Sequence, residues 1–140
     1  PTATHLLEEG ARRLYDSRQM PDTIFDVLAI KPEVAERQPE ALAALVASHF
    51  RALRHFRHNP QDAAYRMAAR MGIPAEEVLD AFRGLELPGL HANRRLLDGS
   101  TNRLLAAAGE ISQVMVAAGL LRGATNLNGL VIADFLPEVD

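Results

Sequence analysis

The sequence predicts a mostly α fold with a small β component, an α+β arrangement in which sheet is the minor partner. Three observations carry this. Apolar residues recur at helical spacing from Pro32 almost to the end, in segments punctuated by Pro and Gly. The composition of strands is confined to residues 12–30. Finally, 140 residues at 48% hydrophobic content suit one domain with a core rather than a disordered chain.

Residues 4–9 form a short predicted helix, with Thr2 or Thr4 as N-cap and Gly10 as its stop. Two strand candidates follow. The first ends at Leu14-Tyr15. The second is Ile24-Phe25-Asp26-Val27-Leu28-Ala29-Ile30, rich in branched and aromatic residues. Residues 16–22 join them as a loop by composition. Pro32 opens a short helix at its first turn and Pro39 opens the next. Residues 40–58 are the longest predicted helix. Leu42, Leu45, Val46, His49, Phe50, Leu53 and Phe56 share one face, and Arg51, Arg54, His55 and His58 the other.

Asn59-Pro60 ends that helix. Residues 61–71 form another, stopped by Gly72. Residues 74–83 form a third, with Glu76 and Glu77 in the first turn, where the helix dipole favours acids. Residues 85–90 are expected to be extended and 92–97 a short helix. Asp98-Gly99 is a turn, and Ser100 or Thr101 caps a last long helix to Ala118. Its apolar stripe is Leu104, Ala107, Ala108, Ile111, Met115 and Ala118. The tail from Asn126 is loop-like, anchored at residues 130–132 and at Phe135-Leu136.

The net charge of −3 gives no general attraction to nucleic acid or to an anionic membrane. The absence of cysteine from these residues excludes disulfides, zinc–thiolate sites and thiol catalysis in them. No apolar run reaches the roughly 18–20 residues of a membrane span. No Gly-rich phosphate loop, serine elbow or cofactor motif is present, so no enzyme activity and no cofactor is expected.

Asp16, Ser17 and Arg18 are the candidate ligand-binding residues. They follow a predicted strand, and ligands of open α/β sheets bind beyond strand ends. Ser17 offers a donor to an anionic or carbonyl oxygen and Arg18 a cation to an anion. The ordinary alternative is a turn whose side chains bond their own backbone. Residues 68–81 imitate a helix-turn-helix through Ala68, Gly72 and Val78. Its second helix carries Glu76, Glu77 and Asp80, which repel phosphate, so two helices joined by a tight turn is the plainer reading. The basic face of Arg51, Arg54 and Arg57 lacks an aromatic platform and is expected to be solvated. His55 and His58 stand three apart without a third ligand nearby, and His49 sits within an apolar stripe, so no metal site is expected. Adjacent acids such as Glu76-Glu77 do not face each other across a pocket as catalysis requires.

The order of these pieces resembles the C-terminal part of the substrate-binding proteins of ABC importers, in the group that takes up nitrate, sulfonates, taurine and pyrimidine precursors of thiamine. A family motif like "Leu-Phe-Asp-Ser-x-x-Ile-Pro-x-x-Ile-Val-Asp-Val-Leu-Val-Val" stands here at residues 14–30. "Pro-Glu-x-x-x-x-x-Pro-Glu-Ala" is matched by Pro32-Glu33 and Pro39-Glu40-Ala41, and "Asn-Pro-x-x-Ala" by Asn59-Pro60-Gln61-Asp62-Ala63. "Gly-Ile-x-x-Glu-Glu-Val" is residues 72–78 and "Asn-Arg-x-Leu-Leu" residues 93–97. The family's ending is similar to Ala118-Gly119-Leu120-Leu121, Leu127-Asn128-Gly129-Leu130 and Phe135-Leu136.

The resemblance implies the C-terminal helical portion of a type 2 periplasmic-binding-protein-like fold, with residues 1–140 a single domain. Residues 12–30 would be hinge-return strands, and residues 31–140 the helical part of lobe one. It implies solute capture for an ABC permease in the membrane, in the periplasm or anchored outside the cytoplasm. The family is about twice this length or more, so the chain is expected to be part of a longer protein and to bind solute weakly or not at all by itself. Two strands without neighbours leave unpaired edges, and helices made to cover a sheet expose apolar faces without it. Self-association into a homo-oligomer is therefore expected. The alternative is a freestanding helical interaction or regulatory domain.

Overall fold

The structure is a computed structural model and describes residues 2–97 and 103–138. Seven α-helices lie among them: α1 (Thr2–Glu8), α2 (Pro32–Arg37), α3 (Pro39–His58), α4 (Pro60–Met71), α5 (Ala75–Ala81), α6 (Leu90–Leu97) and α7 (Arg103–Ala117). A 3-10 turn spans Ser17–Gln19.

Proline sets the starts of three consecutive helices. Pro32, Pro39 and Pro60 each occupy the first turn of α2, α3 and α4, where a missing N–H costs nothing and the fixed φ is already helical. Asn59 closes α3 by donating its N–H to the His55 carbonyl, so α3 and α4 meet at one non-helical residue. Gly72 ends α4 in the left-handed region at φ 68°, donating to the Ala68 carbonyl, which is the usual reason for glycine at that place. Pro74 then turns the chain into α5.

The core forms where α3 meets α6 and the tail. Phe50, Leu53 and Leu90 are buried together, with Val46, Leu87 and Leu136 packed against them. Leu42, Val46, Phe50 and Leu53 repeat every three or four residues along α3, which puts them on one stripe. Leu45 and His49 belong to the predicted face but are exposed, so the stripe is narrower than expected. One turn beyond Leu53 on the same face of α3, the half-buried Phe56 meets Phe82 with ring centroids 5.0 Å apart. Helices α4 and α5 pack most extensively on each other; Ala63 and Ala64 of α4 and Val78 of α5 are buried, Val78 completely. Helix α7 packs on α6 and buries Ala107, while Ile111 and Ala118 of the predicted stripe stay exposed.

Two arginines lock loops to this body. Arg57 donates to the Leu87 carbonyl at 2.5 Å, and Arg94 to the carbonyls of Pro137 and Glu138. Ser112 and Thr125 share a hydrogen bond that lays the tail along α7. The predicted turn at Asp98-Gly99 and cap at Ser100 or Thr101 lie outside the described residues.

The small β component does not form among the described residues. Residues 11–16 and 23–31 are neither strand nor helix. Strand composition there is real, but a strand completes its hydrogen bonds only through a neighbour. Among the described residues no strand is present to serve as one. Leu14, Tyr15, Ile24, Val27 and Leu28 consequently stay exposed. The segment is tied to the helices by an ion pair between Asp22, at φ 59°, and Arg103 of α7. Phe25 and Ile30 are half-buried.

Candidate functional site

Asp16, Ser17 and Arg18 come together, but at a 3-10 turn and not at a strand end. Asp16 is the N-cap. Its backbone is extended at φ −150°, ψ 170°, and its Oδ1 accepts from the Arg18 backbone N–H at 3.0 Å. This is the side-chain-to-backbone turn that Asp favours. The Arg18 guanidinium folds back onto the same carboxylate, Nε donating to both oxygens at 3.0 and 3.1 Å and a terminal nitrogen to Oδ2 at 2.6 Å. Arg13 adds a fourth donor at 3.3 Å.

The Arg18 side-chain bonds, the backbone N–H of Arg18 and the nearby positive charges hold the Asp16 carboxyl well below the usual carboxylate range. The same carboxylate raises Arg18 above its ordinary value. The pair is thus ionised at any physiological pH. The Arg18 side chain is 80% exposed, so solvent reaches it even while paired. Ser17 is exposed in the first position of the turn, and its hydroxyl has no partner among the described residues. An open depression of about 410 Å³ adjoins the turn, lined by Leu7 of α1, Arg13, Leu14, Tyr15, Asp16, Arg18 and Gln19.

Chemically, this arrangement is a cation beside a shallow, partly apolar hollow, with its charge already matched. An incoming anion must compete with Asp16 for Arg18. Sequence reasoning found the three residues and missed Arg13 and Tyr15. The signal for Arg13 was its spacing of three residues from Asp16, which suits a local pair.

The other candidates have structural partners. Asp62 Oδ2 accepts from His55 Nε2 at 2.6 Å and from Arg66 Nε at 2.7 Å, and Arg66 foremost, then His55, lowers the Asp62 carboxyl. His58 Nδ1 lies 2.8 Å from the Arg54 carbonyl oxygen, so the two histidines face different partners. His49 is exposed and meets Phe50 edge-on. Arg51 donates to Ser48. The α4–turn–α5 pair has a tight helix-turn-helix shape, and Glu76, Glu77 and Asp80 are exposed on its second helix. Among the described residues, no group of three or more acidic or histidine side chains is placed to hold a metal ion. No described helix is long and apolar enough to cross a membrane.

No family model, curated protein or solved structure matches this chain.

Proposed function

We propose that the chain serves solute capture for an ABC importer, as the C-terminal part of a solute-binding protein with a type 2 periplasmic-binding-protein-like fold. The observation that carries this is the order of motifs from Leu14 to Leu136, which follows the importer family's order over nearly all the chain. Residues 12–30 would pair with strands of a sheet and the helices would form the shell of one lobe. Their exposed apolar side chains and missing strand partners favour that role. The solute is a small anion or heteroaromatic such as a sulfonate, taurine, nitrate or a pyrimidine, received outside the cytoplasm and passed to a membrane permease. No enzymatic step or cofactor belongs to this reading.

Arg18 is the anion partner, Ser17 the hydroxyl donor, and Asp16 the carboxylate that holds Arg18 until solute arrives. Because Asp16 competes, the chain alone binds in the millimolar range, about −4 kcal/mol. Backbone NMR titration with taurine, methanesulfonate, nitrate and a pyrimidine tests this. Expected are shifts confined to residues 13–19 with at least one solute, lost in Arg18→Ala. Shifts elsewhere only, or none with any solute, overturn the assignment.

A second reading is a helical interaction domain acting through the α4–α5 pair, favoured by the left-handed Gly72 turn and the burial of Val78. The acids on α5 argue against a DNA partner. A gel shift with random duplex at low salt separates the two: binding supports this reading, and its absence removes the nucleic-acid form of it.

A further inference from the structure

Between Ile24 and Ile30 the chain passes seven residues without helix, turn or bend. No backbone N–H or C=O in that run has a hydrogen-bond partner among the described residues. Water satisfies such groups on a surface, but here they carry Ile24, Val27 and Leu28, exposed at 67%, 62% and 60%. An unbent run with free alternating donors and acceptors is a template for one more strand. Asp26 is its only charge.

We propose that this run is a self-recognition edge, and that two copies of the chain pair antiparallel along it about a two-fold axis at Leu28. The charge of Asp26 selects that centre. A two-fold antiparallel pair places one residue opposite its own copy. Centring on Val27 sets the two Asp26 carboxylates on diagonal positions of one face, roughly 7–8 Å apart. Centring on Leu28 sets Asp26 opposite Ile30 and the two carboxylates four residues apart, roughly 13 Å along the strands. The first separation lies within a Debye length of about 8 Å and the second beyond it. The Leu28 register also brings Leu28 against Leu28, Val27 against Ala29, and Lys31 over the Phe25 ring, a favourable cation–aromatic contact. A two-stranded ribbon alone is marginal in water, so the pair depends on the apolar side chains it covers. The proposal uses residues 24–31, part of the run that the transport reading pairs with a sheet, so in a longer protein a second copy competes with that sheet for the same backbone groups.

The chain's lack of cysteine gives a direct test. In Leu28→Cys the two thiols are opposite each other, with Cα atoms about 4.5–5.5 Å apart, inside the range a disulfide accepts. Diamide should convert L28C to a covalent dimer at least about tenfold faster than V27C, whose thiols are about 8 Å apart in this register. Sedimentation of the unmodified chain should show mass rising from 15.3 kDa with concentration. Alternate N–H groups point at the partner strand, so either Val27→Pro or Leu28→Pro removes a ladder donor. At least one should weaken association about tenfold or more, with helical circular dichroism unchanged. A mass of 15.3 kDa at every concentration, V27C linking as fast as L28C, or association untouched by both prolines overturns the proposal.

Discussion

Residues 10–31 and the helical body from Pro32 to Ala117 are built from comparably apolar sequence, yet only the body buries a core, and it too leaves Leu45, Tyr65, Leu85 and Val114 exposed. In the body, Leu42, Phe50, Leu53, Val78 and Leu90 are buried. Between residues 10 and 31, Leu14, Tyr15, Ile24, Val27 and Leu28 are all substantially exposed. The difference lies in where each kind of structure finds its hydrogen bonds. A helix closes its own bonds four residues away and needs a neighbour only to cover one face. A strand needs a neighbour for its backbone and for its side chains together. The body therefore assembles from its own helices, while residues 12–30 keep strand composition without strand structure.

The largest effect should come from testing burial on both sides of that divide. Phe50→Ala removes a core ring and should cost about 3–5 kcal/mol in denaturant unfolding. Ile24→Ala should change stability by less than about 0.5 kcal/mol when measured on dilute protein. Comparable losses would place Ile24 in a shared core and break the comparison.

Backbone strain should divide the same way. Gly72 and Gly10 both have positive φ, 68° and 92°, and both face open space, so an added methyl brings strain and no clash. Gly72→Ala should cost about 1–2 kcal/mol, because the α4–α5 turn cannot relax without opening Val78. Gly10→Ala should leave the melting midpoint unchanged, since α1 gives way locally. Gly89 tests a loop lock. A Cβ there would lie 3.1 Å from a terminal nitrogen of Arg57, the flexible end of a side chain that holds the Leu87 carbonyl. Gly89→Ala should displace Arg57 and cost about 0.5–1.5 kcal/mol, the worth of one hydrogen bond. Arg57→Ala should remove the further effect of G89A. A full additional loss in the double variant would assign the cost elsewhere.

The helical body was legible because its signals are local. Pro32, Pro39, Asn59-Pro60 and Gly72 act within a residue or two of themselves, and each boundary stands where they put it. The width of the α3 stripe was less legible, since exposure of Leu45 and His49 depends on which helices arrive opposite them. The strand composition of residues 12–30 is not realised as strand in the structure, because composition reports what a segment can do with a neighbour and not whether the neighbour is there. At the candidate site, the Asp16 turn was visible as a local pattern, and the full Arg18 chelation of Asp16 was not, because it depends on a rotamer of a long side chain. The Asp22–Arg103 pair joins residues 81 positions apart, beyond any spacing rule.

The smallest effects concern two carboxylates, one in each region. Asp16 and Asp62 are both held below the ordinary value of 3.8, the first chiefly by Arg18 and the second chiefly by Arg66 with His55. A depressed carboxylate favours the folded state above its unfolded value and loses that contribution as pH falls through its folded value. Both contributions are therefore complete at neutral pH and decline only in acid below 3.8. Their consequences differ by location. Asp62 lies in the first turn of α4, where its charge also meets the helix dipole, so its protonation loosens an element that helps bury Val78. Asp16 caps a three-residue turn that supports no core, so its protonation releases Arg18 and little else. Carboxyl NMR should show Arg18→Ala raising the Asp16 titration and Arg66→Ala raising that of Asp62. On acidification, the amides of α4 should lose exchange protection in R66A at higher pH than in the parent, while R18A leaves them unchanged. Equal protection loss in both variants would mean that the 3-10 turn and the helical body unfold as one unit.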